Sequence, residues 1–291
     1  MSSYDHLNNE AKALLQAPLD ERLNHVRQLH YIEYPAAENS LRELQDLANY
    51  PLTTRPPCRA LIADSNNGKT TLTREFMRRN PTTLDAAGYP HSPVVWMEAP
   101  PEPDEGRFFS AMLTSLSVTH RADAKRERLQ VMADEELINR RVKLLVIDEF
   151  HTMLNGTSRQ QKEYMSCVKR FVNVRQLSLV VAGTVDVTRA LATDMQFVTR
   201  FQKIALPRWS ANQEFLQLLT SFESTLPFPK PSKLAGEEIA YLIFQNCQNT
   251  IGGVRDIVTE SSEVALKEGE ERITYKLLKD VCEKLGKRRL H

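Results

Sequence analysis

The stretch ADSNNGKTT, residues 63–71, limits the possible folds of this chain more than any other part of the sequence. It follows CRALIA, a run apolar enough for a short buried strand, and it precedes TTLTREFMRRN, which has the composition of a helix. A strand, a glycine-lysine turn and a helix in this order are the context of a phosphate-binding loop with the pattern GxxxxGK[ST]. Ala63 stands where that pattern has its first glycine. An alanine fits there if its φ is negative, so we predict a functional loop in which alanine replaces the first glycine of the pattern.

The residues of this turn have defined roles in the predicted phosphate site. In such loops the backbone amides and the positive end of the following helix bind phosphate oxygens. The sequence therefore predicts a site for a nucleotide and its Mg²⁺, with Thr70 supplying a hydroxyl to the metal. The predicted nucleotide-binding residues of the loop are Asn66, Asn67, Gly68, Lys69, Thr70 and Thr71. Lys69 is also a predicted catalytic residue, because its ammonium bridges phosphates. A chance GKT in an ordinary turn remains the alternative on the loop alone.

A second motif, VKLLVIDEF, is a continuous apolar run that ends in two acids. A run of this kind is typical of a central parallel strand that is covered on both faces. Asp148 at the strand end would hold the water shell of Mg²⁺, and Glu149 would act as the base that polarises the attacking water. Two motifs in the expected order, each on a predicted strand, favour a nucleotide-hydrolysing site over a chance match.

The nucleotide is predicted to be ATP. The chain has no NKxD motif, with which GTP-binding switch proteins read the base, and those proteins usually lack the second acid, Glu149. A further strand, PVVWMEA, lies in the chain between the loop and the acidic strand, as in ATPases that use a glutamate base.

Strands alternate with helices along the middle of the chain. After VKLLVIDEF come the strands LSLVVAGT and QKIALP, and this alternation predicts an open parallel sheet with ligands at its carboxyl edge. Helical patterns lie before the loop, one of them behind Ser40 as an N-cap, and again from Trp209 onward. We therefore predict a helical extension (1–51), an α/β nucleotide-binding core (52–208), and a helical lid with a basic tail (209–291).

Three positions outside the two motifs complete the predicted site. Thr184, at the tip of LSLVVAGT, would position the water or the γ-phosphate, although a threonine there also caps a turn. In GGVR, Arg255 would lie on the first turn of a helix and reach the phosphates, or else be exposed on the helix face. Arg200 is the first candidate for an arginine finger that enters a neighbouring subunit, and Arg189 is the second. An intrachain or surface role for Arg200 is the alternative.

Composition limits the partners and the compartment. The formal net charge is +1, so binding to nucleic acid requires a local basic patch; the tail KLGKRRLH is one, and it also fits a solvated helix end. The four cysteines form no CxxC pair, so neither a zinc site nor a disulfide framework is indicated. No segment is apolar over the length of a membrane span, and we expect a soluble, cytoplasmic protein.

Several of these phrases together resemble a known family. The loop DSNNGKT, the phrase APPEPDEGRFF, the strand LLVIDEFHTML, the tip VVAGT and the closing RFQKIALPRW are similar to the TniB and TnsC group of transposition AAA+ ATPases, relatives of MuB and IstB. The resemblance runs from about Asp20 to Leu285. It implies an α/β AAA+ P-loop ATPase fold, with a central parallel sheet sandwiched by helices. The departure at Ala63 is expected to affect the hydrolysis rate more than nucleotide binding.

The resemblance also implies a bacterial transposition regulator. Such a protein oligomerises with ATP on duplex DNA as a ring or helical filament, recruits a transposase, and leaves the target when ATP is hydrolysed. It would be associated with the nucleoid when bound to DNA, and a separate target-selection protein is a further expected partner. The segment HYIEYP would lie near the adenine, with Tyr31 and Ile32 as contacts. A hydrophobic staple between the N-terminal helices explains these residues equally well.

By the same resemblance, DNA contacts come from the segment between the second strand and the acidic strand. In this chain that segment is HRADAKRERLQVMADEELINRR, which we predict to be helical, and it offers Arg121, Lys125, Arg126 and Arg128. Contacts of these side chains with the DNA backbone would be largely independent of sequence and sensitive to salt. Acidic residues interleave with them, so a helix of mixed charge is the alternative.

Two other functions stay open. A nucleotide-gated adaptor would bind a protein partner, hydrolyse little ATP and contact DNA only incidentally. A helicase loader or replication initiator of the same ATPase class would be expected to carry an appended winged-helix or helix-turn-helix DNA reader, for which the chain leaves little room after the lid. Reciprocal coupling between ATP and DNA would distinguish the regulator from the adaptor.

Overall fold

The computed structural model describes residues 4–28, 30–121 and 123–289. Its strands are β1 (Cys58–Ala63), β2 (Thr83–Leu84), β3 (Pro90–His91), β4 (Val94–Glu98), β5 (Leu144–Asp148), β6 (Ser178–Gly183) and β7 (Phe201–Leu206). Its α-helices are α1 (Asn9–Ala13), α2 (Leu19–Arg27), α3 (Pro35–Ala48), α4 (Lys69–Arg79), α5 (Glu105–Ser115), α6 (Arg126–Asn139), α7 (Ser158–Arg175), α8 (Asp186–Leu191), α9 (Met195–Val198), α10 (Gln213–Ser224), α11 (Glu237–Asn246), α12 (Ile251–Lys267) and α13 (Tyr275–Arg289). Short 3₁₀-helices lie at Leu14–Gln16 and Phe150–Asn155.

Within the described residues, five parallel strands form the main sheet. Their order is β4-β5-β6-β1-β7, and a separate short hairpin joins β2 to β3. All residues of β5 and β6 are buried, as continuous apolar runs in central parallel strands require. The predicted open parallel sheet is therefore confirmed. In the sheet it is β6 that separates β1 from β5, whereas β4, which lies between them in the chain, is at the edge.

The described residues divide into two compact units. The sheet unit consists of Asn39–Ser65 and Leu72–Leu206, and the helical unit consists of the described parts of Met1–Glu38, Asn66–Thr71 and Pro207–His291. In the sheet unit, Phe108 packs edge-on against Tyr164 and Phe171 inside the core. The core of the helical unit is formed by apolar side chains of α2 and of α10 to α13. The division of the chain at residues 51 and 208 stays a prediction.

Two helix boundaries differ from those expected from the sequence. α3 begins at Pro35, and Ser40, which we predicted as its N-cap, is buried inside the helix. Proline is favoured in the first turn because its missing N–H would have no intrahelical partner there. The charged segment is helical only from Arg126, so Arg121 precedes the helix. Among the described residues, no helix has both the length and the apolar surface that crossing a bilayer requires.

Candidate nucleotide-binding site

Three strand ends meet at the carboxyl edge of the sheet. β5, β6 and β1 are parallel neighbours, so their carboxyl ends lie side by side. β5 ends at Asp148, β6 is followed by Thr184, and β1 ends at Ala63. Asp148 is only 3% exposed, and Thr184 is half-buried. The sheet therefore brings the acidic motif and Thr184 to the edge at which open parallel sheets bind ligands.

Ala63 is an ordinary strand residue. It pairs with Leu206 of β7, is buried, and is not among the residues with positive φ. The backbone conformation thus makes no demand for glycine at this position.

The loop does require its second glycine. Gly68 has a φ of 84°, and a Cβ on it would lie 3.0 Å from Cγ2 of Ile251. Asn66 also has a left-handed backbone, with a φ of 60°, a conformation that asparagine tolerates better than most residues. Lys69, 8% exposed, begins α4. Thr70 is exposed and Thr71 is half-buried in the same turn.

The loop is hydrogen-bonded to the first turn of α12. Gly252 N donates to the Asn66 carbonyl oxygen at 2.9 Å, and Ile251 N donates to Asn67 Oδ1 at 3.3 Å. The first N–H groups of a helix have no partner within the helix. The loop supplies partners for two of them, and thus forms part of the N-terminal cap of α12.

Two further details fit the loop to its surroundings in the helical unit. Asn67, which is buried, donates from Nδ2 to the Pro207 carbonyl oxygen at 3.1 Å. A Cβ on Gly252 would lie 1.9 Å from Asn66 Oδ1. The first glycine of GGVR therefore makes room for the loop. No local pattern in the sequence indicates this role, because Asn66 and Gly252 are far apart in the chain.

Arg255 follows these glycines on α12. Its side chain is exposed, and Nη2 donates to Asp256 Oδ1 at 3.1 Å. An exposed ion pair of this kind contributes little stability, so the guanidinium can exchange it for another anion at small cost.

A tyrosine that the sequence analysis did not select lies at the loop. The Tyr34 hydroxyl is 3.8 Å from the position that a Cβ on Gly68 would take. Its ring packs edge-on against Trp209, with ring centroids 5.0 Å apart. Burial raises the pKa of Tyr34 to about 12, so its hydroxyl is protonated near neutral pH.

The predicted adenine contacts, Tyr31 and Ile32, belong to the same unit as the loop. The Tyr31 hydroxyl donates to Glu38 Oε1 at 2.8 Å. Ile32 is buried in the core of the helical unit. The burial of Ile32 agrees with the packing role that we considered for it, and adenine contact by either residue stays a prediction.

Glu149 and His151 form a pair just beyond β5. Glu149 has a left-handed backbone, with φ 52° and ψ 34°, and its N–H donates to Asp148 Oδ1 at 2.8 Å. His151 Nδ1 lies 3.4 Å from Glu149 Oε2 and is buried without a hydrogen-bond partner among the described residues. A Cβ on Gly183 would lie 3.1 Å from the same nitrogen. His151 is therefore a candidate positioning residue, and its only sequence signal is its place two residues after the acid.

The two candidate finger arginines differ in their contacts. Arg200 is half-buried at the amino end of β7, where Nη1 donates to Asn173 Oδ1 and Nη2 donates to the Pro56 carbonyl oxygen, each at 2.7 Å. Arg189 on α8 is 77% exposed and pairs with Asp186 at 3.1 Å. The contacts of Arg200 thus fit the intrachain role, while Arg189 is accessible from outside the chain.

The predicted DNA-binding residues separate into two pairs. Arg121 is paired with Asp123 at 3.1 Å, and Arg126 is paired with Glu105 and Glu127. The hydrogen bond with Glu105 is the main cause that raises the pKa of Arg126. The other two residues, Lys125 and Arg128, are exposed and form no ion pair with any residue that the structure describes. Lys125 still interacts electrostatically with Glu127, but its ammonium and the Arg128 guanidinium are not held in ion pairs.

Residues 22–211 match the family described as "Bacterial TniB protein". No curated protein matches the chain.

Several solved structures are similar in fold. The Aeropyrum pernix ORC2 protein, solved as ADPNP-ADP complexes, is 15% identical over 89% of this chain and 71% of that chain, with a TM-score of 0.64. The Aeropyrum pernix ORC1 protein in complex with DNA is 13% identical over 91% of this chain and 69% of that chain, with a TM-score of 0.57. The Thermotoga maritima RuvB Holliday junction branch migration motor is 14% identical, covers 90% of this chain and 73% of that chain, and has a TM-score of 0.52. These likenesses show the fold alone, and they confirm the predicted AAA+ fold with its central parallel sheet.

Proposed function

The chain belongs to the TniB family, and on this basis we propose that it is an ATP-dependent regulator of transposition that assembles on duplex DNA and recruits a transposase. The observation that carries the proposal is the hydrogen bonding of the phosphate loop to Ile251 and Gly252, about one turn before Arg255. A change in the loop on nucleotide binding is transmitted to α12 through these bonds. The nucleotide would in this way control the helical unit, and through it assembly and partner binding.

The roles in ATP hydrolysis follow from the chemistry of each side chain. Lys69 binds the β- and γ-phosphates, Glu149 orients and activates the attacking water, and Thr184 positions the water or the γ-phosphate. Arg255 reports nucleotide state from α12. His151, whose Nδ1 lies 3.4 Å from Glu149 Oε2, would help to position the Glu149 carboxylate.

The oxygen donors of Thr70 and Asp148 fit Mg²⁺. A hydroxyl and a carboxylate are hard ligands of the type that this ion prefers. When bound, Mg²⁺ neutralises charge on the β- and γ-phosphate oxygens. Asp148 is a carboxylate buried at the carboxyl edge of the sheet, where open parallel sheets bind ligands.

DNA binding is proposed for the exposed segment around the start of α6. Lys125 and Arg128 are exposed, and neither forms an ion pair with a described residue, so both side chains can reach phosphates. The ORC1 protein of similar fold is in complex with DNA. Backbone contacts would give affinity that falls with salt and depends little on sequence.

Linkage between ATP and DNA is the direct test. We expect a non-hydrolysable ATP analogue to raise affinity for duplex DNA, and DNA to raise affinity for the analogue by the same factor, because binding linkage is reciprocal. Lys69→Ala is expected to abolish both effects. Lys162 is an exposed lysine on α7, and Lys162→Ala should change neither effect. Electron microscopy with duplex DNA in ATP, ADP and the analogue would show whether rings or filaments form only in the ATP state. Equal DNA affinity with and without the analogue would contradict the proposal.

A nucleotide-gated adaptor is the second candidate, and one observation favours it. In the helical unit, α10 and α11 line an apolar groove that includes Phe215, Leu216, Tyr241 and Phe244. Tyr241 is exposed there. An adaptor would show ATP-dependent partner binding without coupling to DNA, so the same linkage experiment separates the two functions.

A further inference from the structure

Two histidines and a glutamate converge in the helical unit, outside the residues assigned to the nucleotide. Glu10 lies on α1, His25 on α2, and His30 just after α2. Each offers one ligand atom, and these atoms all lie within 4.8 Å of one another. No role proposed above uses any of the three.

The hydrogen bonding of His25 determines which of its nitrogens has a lone pair. His25 is 6% exposed, and its Nε2 lies 2.9 Å from the Thr225 carbonyl oxygen. A carbonyl oxygen only accepts, so Nε2 carries the hydrogen, and in the neutral ring Nδ1 has the lone pair. That Nδ1 faces Glu10 Oε1 at 3.9 Å. Two acceptors thus face each other across a gap longer than a hydrogen bond, an arrangement that a cation between them stabilises.

His30 is held in a similar way. Its Nε2 donates to the His25 carbonyl oxygen at 2.7 Å, which leaves the lone pair of the neutral ring on its other nitrogen. The two imidazole rings are 4.4 Å apart and tilted by 43°. Histidine ligands of metals commonly donate their second nitrogen to a backbone carbonyl, which fixes both the tautomer and the ring orientation. Both histidines have this feature.

We propose that Glu10, His25 and His30 bind a divalent transition-metal ion of the zinc type. Two imidazoles and one carboxylate are the ligand set of three-ligand zinc sites, whereas Mg²⁺ and Ca²⁺ prefer oxygen alone. Bonds of about 2.0–2.1 Å in a tetrahedral site place donor atoms roughly 3.4 Å apart. Glu10, 66% exposed on its short helix, has the freedom to close the remaining distance.

The ion would connect three segments of the helical unit. α1 and α2 would be fixed to each other, and His30 directly precedes the predicted adenine contacts Tyr31 and Ile32. With three protein ligands, the fourth position remains open to water. Such a site exchanges its metal more readily than a closed structural site with four protein ligands.

Cobalt(II) is the probe that tests the site. The 291-residue chain, freed of metal with a chelator, is titrated with Co²⁺ in excess Mg²⁺ and without nucleotide, and the visible absorption of the cobalt ion is recorded. We expect one Co²⁺ per chain. Glu10→Gln and His30→Gln should each weaken binding by roughly tenfold or more, because even the loss of an outer-shell partner costs metal sites about that much.

The matched control is His6→Gln. His6 lies in the same unit and its Nε2 contacts the Phe228 carbonyl oxygen, but it is outside the cluster. We expect it to bind Co²⁺ like the unaltered chain. Zn²⁺ should also raise the melting temperature of the unaltered chain and of His6→Gln, but not of His30→Gln. Failure of the unaltered chain to bind Co²⁺, or equal binding by all the variants, would overturn the proposal.

Discussion

Glu149 has a backbone conformation that is unfavourable for its residue type. A left-handed conformation in a residue other than glycine costs roughly 1–3 kcal/mol, and it persists only where the surroundings impose it. Here the Asp148 carboxylate accepts the Glu149 N–H, and His151 Nδ1 lies 3.4 Å from its carboxylate. Strain of this kind is concentrated at functional sites, which supports the assignment of Glu149 as the base.

Replacement of this carboxylate should separate binding from hydrolysis. In Glu149→Gln, we expect ATP affinity to be retained while turnover falls by about 10²–10⁴-fold, the usual contribution of a general base. DNA-bound complexes should then last longer in ATP. Single-turnover hydrolysis and nucleotide titration give the two quantities. Glu163→Gln, which alters an exposed ion pair on α7, is the control, and faster release of Glu149→Gln from DNA would contradict the role.

At the scale of helices and strands, the N-terminus of α12 is closely packed. A Cβ on Gly253 would lie 1.9 Å from the Cys247 carbonyl oxygen, and backbone cannot move aside as a side chain can. We therefore expect Gly253→Ala to lower the free energy of unfolding by about 1–3 kcal/mol, as overpacked sites do. Gly286→Ala, on α13 with open space around it, should instead stabilise by about 0.5–1 kcal/mol. Denaturant unfolding of both variants measures the difference, and equal stability would show that α12 tolerates the shift.

The segment before and within α6 allows a test of DNA binding by charge. Lys125→Glu with Arg128→Glu removes two unpaired charges, and we expect the slope of log affinity against log salt to fall by about two. Arg121→Glu with Arg126→Glu makes the same change of charge at positions already paired with acids, and should have the smaller effect. Fluorescence titrations with one duplex at several salt concentrations provide both slopes. Identical slopes in the unaltered chain and the first variant would place the DNA surface elsewhere.

The elements differ in how far the sequence predicts them. The sequence predicts β5 and β6 correctly, because a continuous apolar run is typical of a central parallel strand that is buried on both faces. The predicted start of α3 was wrong, because Ser40 is of a residue type favoured at N-caps whereas the helix begins at Pro35. The bond between Asn67 and Ile251 joins residues 184 positions apart, and no local pattern encodes a contact of that range.

At the scale of the whole molecule, the candidate arginines bear on assembly. Arg200 makes two hydrogen bonds from a charged donor, and each such bond is worth about 1.5–3 kcal/mol. Arg189 has only an exposed pair with Asp186, which contributes about 0–1 kcal/mol. An arginine finger must be free to leave its own chain, so these contacts favour Arg189 for the contact in trans and a structural role for Arg200.

Mixed assemblies can identify the arginine that acts across a subunit interface. The Arg189→Ala variant keeps an intact Glu149, and the Glu149→Gln variant keeps an intact Arg189. If one interface needs both side chains, an assembly made of either variant alone is inactive. When the two variants are mixed on DNA, some interfaces combine an intact Glu149 with an intact Arg189 from the neighbouring subunit. We expect partial recovery of ATP turnover in this mixture, with an unchanged melting temperature for Arg189→Ala.

Arg200→Ala should instead melt at lower temperature because its bonds to Asn173 and Pro56 are lost. Recovery with Arg200→Ala in place of Arg189→Ala would reverse the assignment, because only a residue acting in trans can be supplied by a neighbour.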